Sequence, residues 1–139
     1  GKRFFARGVC YSPVPVGEQS GDWLGPDDSS IWTQDLDLMV AMNVNLVRVY
    51  SFDSDKNHTA FLDACLTRDI LVAVTMDYPD IDLNDETART TWVSMAVGIA
   101  SRYKSHPAIL LWGFGNEKNE QADSDEKREQ QLSYMQEVT

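Results

Sequence analysis

The chain has 139 residues, 42% of them hydrophobic and 24% charged, with a formal net charge of −10. That size and balance fit one ordinary globular domain, or part of one, with enough apolar residues for a core. The charge excludes nucleic acid and anionic membrane as partners, because phosphate contacts need clustered Lys and Arg, and no apolar run approaches the ~20 residues that span a bilayer; an uncharged polymer such as a glycan stays compatible.

In chain order, residues 1–3 read as the tip of a turn, with the natural N-terminus removed or trimmed. Residues 4–10 read as a first strand. Residues 11–30 form a loop punctuated by Pro13, Pro15, Gly17, Gly21, Gly25 and Pro26. Loops of that length are uncommon in a compact domain and are often functional. Trp32, Leu36, Met39 and Val40 recur at helical spacing, and Asn43 stands where such a helix stops. Residues 45–50, rich in apolar and β-branched types, predict a second strand, followed by a polar loop over 51–57. Phe61, Leu62, Cys65 and Leu66 make the apolar face of a second helix.

Residues 70–76 are almost wholly apolar and predict a third strand, with a Pro-containing loop over 77–85. Trp92, Met95, Ala96, Ile99, Ala100 and Tyr103 give the cleanest helical stripe of the chain and place Trp92 in the core. Pro107 closes that helix, since the residue before a proline is biased out of the α region. Residues 106–112 predict a fourth strand, and residues 125–138 a charged helix whose thin apolar face is Leu132, Met135 and Val138.

Strands alternating with helices imply an α/β fold with parallel pairing. Residues 7–12 lack the glycine spacing of a dinucleotide or phosphate loop, which leaves a parallel (β/α) TIM-barrel type ahead of a doubly wound sheet. A full barrel takes ~250 residues. About four βα units are present, so residues 1–139 are expected to be the N-terminal part of a single (β/α)8 catalytic domain, a half-barrel fragment.

Barrel chemistry sits where the strands end. The fourth strand runs into Trp112-Gly113-Phe114-Gly115-Asn116-Glu117, and a carboxylate held there beside an amide is what sugar hydrolysis requires. Retaining glycosidases use two carboxyl groups ~5–5.5 Å apart, one to protonate the leaving oxygen and one to attack the anomeric carbon. Glu117 is the catalytic candidate, and Asn116 a donor to the sugar 2-hydroxyl. Gly113 and Gly115 would leave space for substrate. Arg48 lies within an apolar strand and, if it faces inward with Leu46 and Tyr50, needs an anion such as a catalytic carboxylate. Tyr11 and Tyr50, at strand ends, could offer stacking faces to pyranose rings, and Trp23 in the long loop is a lesser candidate. Asp53 and Asp77 read more simply as helix caps than as sugar ligands.

Two histidines are too few for a zinc set. Glu117 and Glu120 at i,i+3 spacing lack the companions of a dicarboxylate metal site, so no metal and no cofactor is expected. Cys10 and Cys65 are either buried free thiols or a bridge if their Cα atoms lie within ~7 Å. Asn57-His58-Thr59 reads as a helix N-cap at Asn57 or as an N-glycosylation sequon, the latter implying an extracellular or cell-surface setting.

Three segments resemble a known family: 4–11, Phe-Phe-Ala-Arg-Gly-Val-Cys-Tyr; 45–50, Asn-Leu-Val-Arg-Val-Tyr; and 115–117, Gly-Asn-Glu. They are similar to the retaining glycoside hydrolases of the large (β/α)8 clan A, in particular the fungal β-1,3-glucanosyltransferases. Residues 105–112 look instead like the β-galactosidase and β-glucuronidase family. The resemblance implies Glu117 as acid/base, Asn116 as the 2-hydroxyl contact, Arg48 as the second-strand arginine, and Tyr11 and Tyr50 as substrate-side tyrosines. It also implies a nucleophile glutamate from a seventh strand, which this chain lacks.

The expected function is therefore the N-terminal half of a retaining β-glycosidase or β-glucan transglycosylase working by double displacement. The isolated chain would be inactive for want of its second carboxylate, and would associate with the missing C-terminal half or with itself through unpaired sheet edges. The alternative is a non-catalytic carbohydrate-binding or self-assembling half-barrel module, which would bind an oligo- or polysaccharide without needing Glu117 as an acid.

Overall fold

The computed structural model describes residues 3–77, 82, 84–118 and 122–138, with residues 137–138 as backbone only. Most of the expected loop over 77–85, the start of the expected turn over 1–3, Glu120 of the discounted metal pair, and the Val138 side chain lie outside the described residues.

Four strands form one parallel sheet in sequential order: β1 (Gly8–Tyr11), β2 (Leu46–Val49), β3 (Leu71–Met76) and β4 (Ile109–Phe114). Between and after them run α1 (Ser29–Ala41), α2 (Thr59–Leu66), α3 (Glu86–Tyr103) and α4 (Asp125–Val138), with a short 3-10 turn at Pro26–Asp28. The first strand starts later than its apolar run suggests. Phe5 and Arg7 are tied to Asn45 instead: Asn45 Nδ2 donates to the Phe5 carbonyl at 3.0 Å, and the Arg7 N–H donates to Asn45 Oδ1 at 2.8 Å.

Strand period decides the layers. Val47, Val49, Val72 and Val74 are fully buried and face the helices, packing with Leu36, Phe61, Leu62, Cys65 and Ile99. Each such side chain contributes roughly 1.5–3 kcal/mol by leaving water. Trp32, Leu36 and Met39 are the buried residues of α1, as their spacing predicts. Helix α1 stops at Asn43, whose φ of 60° is left-handed, with the Val44 N–H closing back on the Met39 carbonyl at 2.9 Å. Helix α2 ends the same way at Asp69 (φ 56°), its follower Ile70 bonding the Cys65 carbonyl at 3.0 Å. This six-to-one closure delivers the chain from each helix into the next strand.

Two expectations on the helices change. On α4 the buried anchor is Tyr134, set edge-to-face on Phe114 at 5.5 Å, while Leu132 is 62% exposed. At the start of α2, Asn57 Oδ1 accepts the Thr59 N–H at 3.0 Å, so the capping bond forms one residue ahead of the N-cap position, His58. Both cysteines are free: Cys65 is buried, and burial pushes its thiol up to about 12, but Cys10 is exposed on the opposite face of the sheet rather than buried.

The long β1–α1 loop is ordered by a buried knot. Asp22 Oδ2 takes His58 Nε2 at 2.6 Å and the Asp53 N–H at 2.6 Å, and Asp22 Oδ1 takes the Leu24 N–H at 3.0 Å. Lys56 Nζ donates to the Asp22 carbonyl oxygen. The His58 ring stacks on Phe52 at 3.7 Å, and its backbone N–H donates to the Tyr103 hydroxyl at 3.0 Å. Asp22 and His58 together thereby join the β1–α1 loop, the β2–α2 loop and α3. No described helix is long and apolar enough to cross a membrane.

Candidate active site

Parallel strands end on one side of the sheet, so the residues that follow them are neighbours. Register assigns their faces. Cys10 pairs with Arg48, and Arg48 with Ala73, all on the side away from the helices. Tyr50, two residues beyond Arg48, shares that side, as does Thr75, which pairs with Gly113.

Arg48 is the hub. Its Nε donates to Thr75 Oγ1 at 2.9 Å, its Nη2 donates to Asn116 Oδ1 at 3.0 Å, and its guanidinium carbon sits 4.6 Å from the Tyr50 ring centroid. The anion expected opposite an inward Arg48 is replaced by two neutral oxygens and an aromatic face. A guanidinium can only donate, so Asn116 must turn its oxygen toward Arg48. Its Nδ2 then points elsewhere as a donor.

Asp77 fixes the turn itself. Its Oδ1 accepts the Asn116 N–H at 3.0 Å and pairs with Lys118 Nζ at 3.0 Å, gripping the residues on either side of Glu117. Between them Glu117 takes a left-handed φ of 54°, a conformation costing a non-glycine residue roughly 1–2 kcal/mol. Strain of this kind persists where the surroundings over-determine it, and it clusters at functional sites. The Glu117 side chain is exposed, and its carboxylate makes no hydrogen bond among the described residues. Asp77 is thus no cap for α3; Asp85 does that, accepting the Thr87 and Ala88 N–H groups.

Tyr50 donates its hydroxyl to Cys10 Sγ at 2.9 Å. That bond, partial burial and the nearby charge of Glu117 push the Tyr50 hydroxyl's pKa up against the opposing pull of Arg48, so it remains a neutral donor at neutral pH.

The structure brings Arg48, Tyr50, Asn116 and Glu117 together, and leaves Tyr11 out. Tyr11 pairs with Val49 in register, which puts it on the helical side. It is 8% exposed, stacks on Phe61, and donates its hydroxyl to Asp35 Oδ2 at 2.7 Å. Burial, then the Asp35 bond, drive its pKa upward. Trp23 is occupied as well, its indole N–H on the Gln19 carbonyl and Lys56 Nζ 5.8 Å from its ring. Gly115 lines a cavity of about 340 Å³ together with Glu117, whereas Gly113 packs against the neighbouring strand. A Cβ on Gly113 would meet Thr75 Oγ1 at 3.3 Å, and Gly115 has a φ of 79°. Sequence reasoning missed Thr75 and the grip of Asp77. Their only signal is position, at the end of a strand adjacent to the one that carries Asn116 and Glu117.

Four sequential parallel strands with helices between them define part of a (β/α)-barrel, the architecture in which active sites sit past the strand ends. The chain belongs to the glucanosyltransferase family of glycoside hydrolases, whose family model matches residues 1–139. It is 30% identical over 92 residues to a 1,3-beta-glucanosyltransferase of Candida albicans, covering 66% of this chain and 20% of that protein. It is 34% identical over 87 residues to one of Saccharomyces cerevisiae, covering 60% and 16%. The chain therefore spans about a fifth of the curated relatives it matches. Among solved structures, Gas2 in complex with a small compound superposes with a TM-score of 0.63 at 25% identity, over 80% of this chain and 26% of that one. Saccharomyces cerevisiae Gas2p in complex with laminaripentaose gives 0.62 at 23% identity, over 78% and 26%, a likeness of fold.

Proposed function

We propose that this chain is the N-terminal part of a single (β/α)8 catalytic domain that transfers β-1,3-glucan by double displacement, with Glu117 as acid/base. The observation that carries the reading is the grip on residues 116–118: Arg48 orients the Asn116 amide, and Asp77 holds both neighbours of a strained Glu117. The laminaripentaose bound by Gas2p supports a glucan as substrate.

In this reading Glu117 gives its proton to the glycosidic oxygen as the bond from that oxygen to the anomeric carbon breaks. A carboxylate from a later strand attacks the anomeric carbon and forms the glycosyl ester. The hydroxyl of an acceptor sugar then attacks the same carbon, Glu117 takes the hydroxyl proton, and the ester bond breaks. Asn116 Nδ2 donates to the 2-hydroxyl, and Tyr50 lies on the substrate side. The apolar residues left open on β4, Leu110 at 43% and Leu111 at 49% exposure, form the seat for the following βα units.

The complete gene product, given a reduced laminari-oligosaccharide donor and an acceptor, should yield products longer than the donor with the anomeric configuration retained. The 139-residue segment alone should yield none. Glucan turnover by that segment would overturn the two-carboxylate reading, and shortened products only would make the parent a hydrolase.

Arg48→Lys tests the hub. Lysine keeps the charge but cannot reach Thr75 and Asn116 from one rigid fork. Misplacement of a positioning group by an ångström costs about 10²-fold in rate, so kcat of the complete enzyme should fall by that order with KM changing less. An unchanged kcat would remove Arg48 from the site's machinery.

A further inference from the structure

We infer that the groove between the β2–α2 loop and α3 is a sugar subsite adjoining the catalytic centre, with Trp92 as the ring platform and Asp53 as the hydroxyl acceptor; this rests on the reading just given. The groove is a cavity of about 440 Å³ lined by Tyr50, Asp53, Asp77, Trp92, Met95 and Asn116, among others. That volume falls within the ~300–1,000 Å³ of ordinary ligand sites. Tyr50, Asp77 and Asn116 border the groove and the catalytic cluster alike, so one continuous chain of sugars can occupy both.

Two residues present ligand-binding groups to the groove. Trp92 is half-buried at the groove rather than sunk in the core. Asp53 does not cap α2, which begins at Thr59. Its N–H is anchored on Asp22 at 2.6 Å, while its carboxylate makes no hydrogen bond among the described residues. Burial, then the charges of Asp22 and Asp55, push the Asp53 carboxyl above its ordinary range, as befits an acceptor awaiting hydroxyl donors.

The lining also selects its occupant. Asp53 and Asp55 repel an anion, and among the described residues no lysine or arginine lines the groove. Among the described residues no three His, Cys, Asp or Glu side chains converge on a point where a metal ion could sit. A neutral pyranose offers what remains complementary: an apolar ring face for the indole and hydroxyl donors for the carboxylate.

The test uses the complete enzyme and laminari-oligosaccharides of increasing length. Trp92→Ala should lower kcat/KM for long donors about tenfold or more, the loss of one stacking contact. The shortest donor turned over, which does not reach the groove, should be little affected. Trp92→Phe should recover most of the loss, and the nearly isosteric Asp53→Asn should show the same dependence on length with an unchanged melting temperature. Equal losses at every length would reduce Trp92 and Asp53 to structural residues and overturn the proposal, as would no loss at all. Absence of glucan turnover by the unsubstituted enzyme would overturn the parent reading itself, a result separable from either of these.

Discussion

Glu117→Gln in the complete enzyme should lower transfer from a natural glucan donor by about 10²–10⁴-fold while oligosaccharide binding survives. Glutamine keeps the size of the side chain and makes the same demand on the left-handed backbone at φ 54°, so the melting temperature should not move. The lost function is the proton. An aryl glucoside with an acidic phenol leaving group needs little protonation, so the variant should form the glycosyl ester from it at nearly normal rate. The ester should then accumulate, because no base activates the acceptor. Azide needs no base and should discharge the ester as the β-glycosyl azide. A variant equally slow on natural and activated donors, without azide rescue, would show that Glu117 positions substrate and is not the acid/base.

Asp22→Ala should be the most destabilising substitution considered, about 3–5 kcal/mol, because it leaves several buried hydrogen-bonding groups without their acceptor at about 1–3 kcal/mol each. Asp22 is 4% exposed and His58 fully buried. The alanine would strand the His58 ring and the Asp53 and Leu24 N–H groups, all of which bond this carboxylate. Against a typical domain stability of about 5–15 kcal/mol, that removes a large share of the margin. Urea denaturation of the complete catalytic domain measures it; a cost below ~1 kcal/mol would mean the knot is not holding the loops together.

The same carboxylate sets an acid limit. Burial alone would raise its pKa, but the bonds from His58, Asp53 and Leu24 outweigh burial and hold it below the ordinary carboxylate range. The unfolded chain therefore takes up a proton at a pH where the folded one still refuses it. The knot's contribution is complete above the unfolded value of ~3.9, and is lost as pH falls through the lower folded value. Asp22→Asn should flatten that part of the stability curve.

Much of this architecture is written in local patterns. The helix stop at Asn43 was legible because an asparagine follows the last apolar position of a 3.6-residue period, and it does adopt the left-handed conformation. Arg48 and Tyr50 share a face because side chains alternate along a strand, and register carried both to Asn116 and Glu117. Tyr11 departs from its expected place for a related reason. Its place at a strand end is visible in the sequence, but its face depends on pairing with Val49, and register is a property of two strands. Trp92 shares the helical stripe of Ile99 and Tyr103, yet periodicity cannot say how far along the helix the sheet extends, and at Trp92 it has given way to a groove. Gly113 looked like room for a ligand because the absent side chain is local information, while the Thr75 hydroxyl beside it belongs to another strand.

The sequence by itself determined the alternation of strands and helices, the parallel sheet that follows from it, and the Asn116-Glu117 pair at the end of β4, because periodicity and strand-end position are carried by residues near one another in the chain. Only the tertiary structure decided which partner Arg48 takes, that Asp77 grips the turn rather than capping a helix, and that Asp22 and His58 lock two loops to α3. Those contacts join residues 27 to 68 positions apart, and a contact across that distance is settled by register and packing, which no local pattern encodes.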